Sequence, residues 1–253
     1  MELSILLPVR NEGLNLRIML KILRSVLEVE HEVIVIVDDA KDGSVPVTED
    51  VARTYTQCRL VVNDRGRGVI NAIRAGVAAA RGRYVLIFAA DEVGPVLAIE
   101  DMLALMAEGC DFLSATRYAH GGRRLGGSFV GGVLSWLACR MFRLCGGAFT
   151  DSTTGIKMFR REVFDRLLLE SEPVGWVVAF EMAIKAQMLG LVLGEVPIVS
   201  IDRLYGGRST FRLGPWLRAY LRWFVWGARH RRELGRTPRS AVRVRMPGFL
   251  KNG

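Results

Sequence analysis

Cysteine is scarce and poorly placed for chemistry: Cys58, Cys110, Cys139 and Cys145 form no C-x-x-C pair and sit mostly in apolar contexts. Reduced core thiols in a cytosolic compartment are expected rather than disulfides or metal ligands. Histidine is scarcer still, and His31, His120 and His230 lack metal-ligand spacing and read as surface residues. No uninterrupted apolar stretch reaches the roughly 20 residues that a spanning helix needs, since the richest candidate, 129–139, stops at Arg140. No basic leader precedes an apolar segment, so no secretory signal is expected. The first strand runs into PVRNEG rather than G-x-G-x-x-G, which disfavours a dinucleotide dehydrogenase. Acids are almost missing from the C-terminal fifth, where residues 203–253 hold 13 lysines and arginines against Glu233 alone.

What is present suits one large α/β domain. The chain has 253 residues, half of them hydrophobic, and its mean hydropathy is +0.23. That length can bury a full core. From residue 1 to about 116 strands and helices alternate, as a doubly wound sheet requires. Strands are expected at 2–9, 31–37, 59–62, 83–90 and 112–116, with helices at 12–27, 46–56, 68–80 and 95–107 between them. The helix at 68–80 is rich in small residues and suited to close packing on the sheet. A glycine-rich loop after Arg117 changes the pattern. Helices are then expected at 129–144, 160–168 and 177–189, and strands at 155–159 and 191–200, the latter interrupted by Gly194 and Pro197 and suited to a sheet edge. Residues 213–230 carry aromatics on one side and Arg218, Arg222 and Arg229 elsewhere, a pattern that suits a helix lying in an interface plane. The excess of basic residues there favours anionic lipid over nucleic acid, with a solvated basic tail as the plainer reading of 231–253.

Three strand ends deliver polar groups. VIVIVDDAKDGS places Asp38 and Asp39 after the second strand, ELSILLPV ends in Arg10, Asn11 and Glu12, and RYVLIFAA ends in Asp91 and Glu92. Ligand crevices of α/β sheets lie at such carboxyl edges. Carboxylates accept hydrogen bonds from base N–H and ribose hydroxyl groups, and the glycines of Asn63-Asp64-Arg65-Gly66-Arg67-Gly68 let backbone approach an anion at a helix start.

Together, PVRNE and VDDAKDGS resemble the opening of the inverting family 2 glycosyltransferases, and the likeness extends over about residues 3–230. It implies a GT-A type fold, a Rossmann-like doubly wound mixed sheet, in one domain over 1–230: a nucleotide-sugar half (1–116), an acceptor and membrane-facing half (117–230) with amphipathic interfacial helices, then a basic tail (231–253). By match, Pro8, Arg10, Glu12, Val37 and Asp39 line the nucleotide pocket, and the 63–68 loop resembles the family's G-K-G loop with Arg67 at the lysine. Where the family carries D-x-D, this chain has Ala89-Ala90-Asp91, so Asp91 alone matches the acid that holds Mg²⁺ or Mn²⁺ against the diphosphate.

Ser114-Ala115-Thr116-Arg117-Tyr118, the Arg124 and Ser128 spacing, and DSTTGIK at 151–157 resemble the dolichol- or polyprenyl-phosphate sugar synthases within that family. The resemblance implies that Arg117, Arg124 and Ser128 meet the acceptor phosphate, arginine forks matching phosphate oxygens bidentately. Glu181 matches the family's second-half acid, a general base for hydroxyl acceptors. The 202–211 segment resembles the R-x-x-G-x-S-K loop and brings Arg203 and Arg208 to the departing diphosphate. The implied activity is transfer of a mannose- or glucose-class hexose from a GDP- or UDP-linked donor to a polyprenyl phosphate with inversion. It is expected at the cytoplasmic face of a membrane, with peripheral attachment and room for a membrane-anchoring subunit, and without nucleic acid as partner. Alternatives are a family 2 transferase acting on a sugar hydroxyl of a glycan or glycolipid, and a non-catalytic nucleotide-sugar or membrane-binding subunit.

Overall fold

The computed structural model describes residues 1–202 and 213–251. Its elements are, in chain order, β1 (Leu3–Pro8), α1 (Gly13–Val26), β2 (His31–Val37), α2 (Ser44–Ala52), β3 (Cys58–Val62), α3 (Val69–Ala79), β4 (Tyr84–Ile87), α4 (Ile99–Ala107), β5 (Phe112–Thr116), β6 (Arg123–Gly126), α5 (Phe129–Leu144), β7 (Lys157–Arg160), α6 (Val177–Met188), β8 (Leu193–Pro197), β9 (Val199–Asp202), α7 (Leu213–Arg229), α8 (Arg231–Leu234), β10 (Arg243–Val244) and α9 (Gly248–Lys251). Eight strands form a mixed sheet in the order β10-β8-β5-β7-β4-β1-β2-β3, while β6 and β9 pair separately. β7 runs antiparallel to β4 and β5; the other pairings are parallel.

Period-two alternation on the strands builds a core on each face. Leu3, Ile5 and Leu7 join Val33, Val35 and Val37 under Leu16, Met19, Leu20 and Leu23 of α1. Leu6 joins Ile34 and Ile36 on the other face, under Ile70, Ile73 and Val77 of α3. Helices therefore cover both sides, and β2 is buried at every position, as a parallel interior strand must be. Each such Leu, Ile or Val contributes roughly 1.5–3 kcal/mol by burial. The small residues of α3 allow the close approach expected of them: a Cβ added at Gly76 would stand 3.0 Å from side-chain atoms of both Leu6 and Ile36.

Four expectations change. The helix expected at 160–168 is two short 3₁₀ turns, Arg161–Val163 and Asp165–Leu167. Leu168 ends them in the left-handed region at φ +45°, and the amides of Glu170 and Ser171 turn to the Glu181 carboxylate instead of continuing a helix. The single strand expected at 191–200 breaks into β8 and β9, and β8 is not an edge, because β5 and β10 flank it. Gly194 admits the Leu113 side chain, which an added Cβ would meet at 2.5 Å. Within the segment expected as a tail, 231–253, the described residues return to the sheet at β10, with Arg245 ion-paired to Asp101 and Glu108 at 2.9 Å each. His31, expected at the surface, is buried, its ring bonded to the Val29 carbonyl at 2.7 Å and to the Tyr55 hydroxyl. Cys58, Cys110 and Cys139 are free and buried. Among the described residues no helix is long and apolar enough to cross a membrane.

Candidate active site

Parallel strands present their carboxyl ends along one edge of the sheet, and the order β5-β7-β4-β1-β2 gathers distant segments there. β1 leads to Arg10 and Glu12, β2 to Asp38 and Asp39, β4 to Asp91, and β5 to Arg117. The antiparallel β7 starts at this edge, so the residues just before it reach the same place. A cavity of about 660 Å³ opens here, within the size range of small-molecule sites.

The loop after β1 is held from the side. Both carboxylate oxygens of Asp42 accept from the Asn11 amide at 3.0 Å, Gly43 N–H donates to Asn11 Oδ1 at 3.1 Å, and Ser44 Oγ accepts from the Glu12 amide at 3.0 Å. Asn11 sits at φ +56°, a region that asparagine tolerates. Asp38 binds the 63–68 loop, accepting from Asn63 Nδ2 at 2.7 Å and from Gly68 N–H at 3.0 Å. Gly68 is required there: its φ is +117°, and an added Cβ would lie 2.5 Å from Pro173 Cβ.

Behind the cavity lies a buried charged network. Arg117 donates from Nε to Asp151 Oδ2 at 2.7 Å, and from Nη2 to Asp151 Oδ1 at 3.1 Å, Thr153 Oγ1 at 3.0 Å and Ser135 Oγ at 3.2 Å. Burial alone would raise the Asp151 pKa, but the Arg117 guanidinium outweighs it and holds the group at about 2. Lys157 Nζ, fully buried, donates to Ser114 Oγ at 2.6 Å, and its desolvation pulls its pKa down to about 8. Glu195 accepts from the amides of Thr150 and Asp151, yet burial pushes its carboxyl up to about 7. This network fixes the 150–157 segment, whose Thr153, Gly155 and Ile156 line the cavity.

Of the residues singled out from the sequence, Pro8, Arg10, Glu12, Ala89, Ala90 and Asp91 line the cavity, as do Arg117, Arg124 and Ser128. Arg67 and Gly68 also border it. Asp39 does not; it lines an adjoining recess of about 160 Å³ shared with Arg10, Asp38 and Arg67, and it is Asp38 that reaches both spaces. Val37 is wholly buried in the core, because its position on β2 points it under α1. Ser128 also caps α5, accepting from Gly131 N–H at 3.2 Å. Arg203 and Arg208 lie outside the described residues.

Glu181 is corrected as a catalytic base. Its carboxylate is 0 % exposed and accepts from the Glu170 and Ser171 amides at 2.5 and 2.8 Å, with Lys185 Nζ at 2.8 Å. It fastens the turn before α6 and does not line the cavity. Replacing Glu181 by glutamine is therefore expected to lower stability by about 1.5–3 kcal/mol, the range for hydrogen bonds to charged groups, with turnover per folded molecule near that of the parent. Thermal melts and active-site-normalised rates check this; a thousandfold rate loss with an unchanged melt would return the residue to the chemistry.

Some contributors left weak sequence signals. Trp176 and Pro173 border the cavity from a loop with no motif, Tyr220 lines it from α7, and Ser135, bonded to Arg117 and Tyr118, comes from a helix whose apolar periodicity masks a polar role. Asp151 is legible only as part of DSTTGIK.

Residues 4–168 match the sequence profile of glycosyl transferase family 2. The chain belongs to this family. The transferase is 24% identical, over 261 aligned positions, to a dolichol-phosphate mannosyltransferase of Pyrococcus furiosus, spanning 100% of this chain and 70% of that one. It is 28% identical over 125 positions to the dolichol-phosphate mannosyltransferase of Mycosarcoma maydis, spanning 47% of this chain and 42% of that one. The fold is that of glucosyl-3-phosphoglycerate synthase from Mycobacterium tuberculosis, solved with Mn²⁺, uridine diphosphate and glucosyl-3-phosphoglycerate. That structure aligns at a TM-score of 0.63 with 19% identity, covering 91% of this chain and 79% of that one. The same synthase with Mg²⁺ and uridine diphosphate aligns at 0.64 with 18% identity. The sheet is thus of GT-A type, and the transferase is an enzyme of the glycosyltransferase class.

Proposed function

We propose that this family 2 glycosyltransferase moves a mannose- or glucose-class hexose from a GDP- or UDP-linked donor to a polyprenyl phosphate, dolichyl or undecaprenyl, with inversion, while seated peripherally on the cytoplasmic face of a membrane. The observation that carries this reading is the composition of one cavity. The sheet edge supplies Glu12, Asp38, Asp91 and Arg117, β6 of the small separate sheet supplies Arg124, and helices α5 and α7 supply Leu134, Leu137, Met141, Leu217, Leu221 and Phe224. Charged groups suit a nucleoside diphosphate and a phosphate; the apolar wall suits a hydrocarbon chain. The dolichol-phosphate relatives point the same way.

In the proposed step a phosphate oxygen of the acceptor attacks the anomeric carbon, the bond from that carbon to the diphosphate oxygen breaks, and the nucleoside diphosphate leaves with the electron pair. Attack from the face opposite the leaving group inverts the centre. No general base is needed, since a phosphate monoester loses its second proton near pH 6. That suits a site whose expected base, Glu181, is sealed away from the cavity. Arg117, oriented by Asp151, and Arg124 stabilise phosphate charge. Arg203 and Arg208 remain candidates for the leaving diphosphate.

For a divalent cation, no group of three His, Cys, Asp or Glu residues is found among the described residues. The donor set fits the sparse mode in which the protein gives one or two carboxylates and the substrate's phosphates and water give the rest. Asp91 would hold Mg²⁺ or Mn²⁺ against the diphosphate, and the cation would neutralise charge on the departing nucleotide.

Incubation with labelled GDP- and UDP-hexoses and a detergent-dispersed short polyprenyl phosphate tests the reading. Label should pass into organic solvent as an acid-labile lipid phosphosugar. Transfer only to glycan or glycolipid hydroxyls would overturn it.

A further inference from the structure

One aromatic side chain enters the cavity from the loop before α6. Trp176 stands directly ahead of that helix, and its carbonyl accepts from Ala179 N–H at 3.0 Å. Earlier in the loop, the Glu181 carboxylate holds the amides of Glu170 and Ser171, and Pro173 packs on Gly68. The segment that presents the indole is therefore fastened on both sides of it, which pre-organises the ring. Part of the side chain packs on the core under α3, and part borders the cavity.

The seat of the ring is a glycine. A Cβ added at Gly155 would lie 2.7 Å from Cε3 and 2.8 Å from Cζ3 of Trp176, so the six-membered ring rests on bare backbone, an approach that no other residue type permits. Gly155 belongs to the segment fixed by the charged network, where Arg117 Nη2 donates to Thr153 Oγ1 at 3.0 Å. The sheet register gives its place in the site. β4 and β7 pair antiparallel from Tyr84 with Arg160 to Ile87 with Lys157; two residues further along the same register, Gly155 falls opposite Ala89, and Asp91 follows. Gly155, Ala89 and Asp91 all border the cavity. The indole is thus carried to the strand end at which the donor diphosphate is proposed to sit.

Other tryptophans of the chain are already engaged. Trp223 Nε1 donates to Ser171 Oγ at 3.0 Å, Trp226 stacks on His230 with centroids 4.0 Å apart, and the Arg140 guanidinium stands 5.4 Å from the centre of the Trp136 ring. Among the described residues, Trp176 has neither an acceptor for its indole N–H nor a ring or cation against its face. A tryptophan with both an apolar body and a donor open at a cavity suits a ligand that is itself two-sided. A pyranose is such a ligand, with C–H groups on its faces and hydroxyls around its rim. A nucleobase would also stack, but the recess that holds Asp39 lies apart and Trp176 does not line it. An isoprenoid chain offers the N–H no acceptor, and α5 and α7 already give it an apolar wall. We infer that Trp176 is the platform for the transferred hexose, its indole against a C–H face of the sugar and its N–H toward a hydroxyl, with Gly155 as the seat that sets the ring. The inference rests on the nucleotide-hexose donor of the proposed function and deepens it by naming the residue that grips the sugar.

The test is calorimetry of the full chain in Mg²⁺, without acceptor, comparing GDP with GDP-mannose and UDP with UDP-glucose. Trp176→Leu should keep the parent's affinity for the free nucleoside diphosphate and bind the matching sugar nucleotide about tenfold more weakly, the scale of one aromatic contact together with one hydrogen bond. Trp176→Phe keeps a face and loses the N–H, and should fall between parent and Trp176→Leu. Gly155→Ala retains the indole but displaces it, and should show the same selective loss; these two variants carry the test if Trp176→Leu does not fold. In turnover the donor KM should rise in each variant while the acceptor KM stays at the parent value. Equal losses for the diphosphate and its sugar derivative, an unchanged ratio of the two affinities, or a raised acceptor KM with the donor KM unchanged would each overturn the platform. A parent protein that binds neither GDP-mannose nor UDP-glucose would instead overturn the donor reading. Because no acceptor is present in the calorimetry, its result is the same whether the hexose passes to a lipid phosphate or to a hydroxyl.

Discussion

Asp151→Asn is expected to cost about 3–5 kcal/mol of stability, the range for removing one partner of a buried ion pair, and to lower the melting temperature by about 10 °C in a chain of this size. The asparagine keeps the shape but removes the charge that faces Arg117, itself 10 % exposed, and the fully buried Lys157. Much of a typical folding free energy of 5–15 kcal/mol would go with it. Arg117→Met alone should also destabilise, and the double variant should be less damaged than the sum of the two singles, because the uncompensated charge is gone. An additive double variant, or a melt within 2 °C of the parent for Asp151→Asn, would show that the pair does not hold the 150–157 segment.

The same pair sets an acid limit. The folded-state pKa of Asp151 is depressed to about 2 from an ordinary 3.8, so its contribution is fully present above about pH 4 and is lost as pH falls toward 2. Stability measured from pH 5 down to pH 2 should fall more steeply in the parent than in Asp151→Asn.

The second large effect is on turnover. Asp91→Asn is expected to lower the transfer rate by about 100- to 1000-fold, the scale for losing one electrostatic contributor at a reacting centre, while circular dichroism shows the parent fold. Asp91 is the acid that β4 delivers into the cavity in line with the sheet edge, and Ala89 offers no second carboxylate two residues earlier. The variant should also bind nucleoside diphosphate more weakly in Mg²⁺, by calorimetry, than the parent does. A rate within tenfold of the parent's would remove Asp91 from the chemistry and shift attention to Glu92, which also borders the cavity and accepts from Ser200 Oγ at 2.9 Å.

The amino-acid sequence determined the alternating strands and helices of residues 1–116, because buried parallel strands are unbroken runs of β-formers and their crossover helices carry a 3.6-residue apolar period. It also determined the three polar strand ends, since acids directly after a buried strand have few places to go except a carboxyl edge. Only the tertiary structure decided which of those acids face the cavity. Asp38 and Asp39 are adjacent and chemically alike, and their separation depends on Asp38 being drawn to the Gly68 amide and Asn63 while Asp39 turns to the Lys41 amide at 2.9 Å. Glu181 matched a functional position yet became a structural anchor, because the amides of Glu170 and Ser171, 11 and 10 residues earlier in the chain, needed an acceptor that local periodicity does not reveal. The C-terminal basic segment reads as a tail in the sequence, and long-range pairing adds a strand to it: β10 has only two residues, too few for a pattern, and forms because β8 offers it a free ladder. Local chemistry writes itself into neighbouring residues, whereas partner choice across the fold is set by which groups the packed sheet leaves unsatisfied.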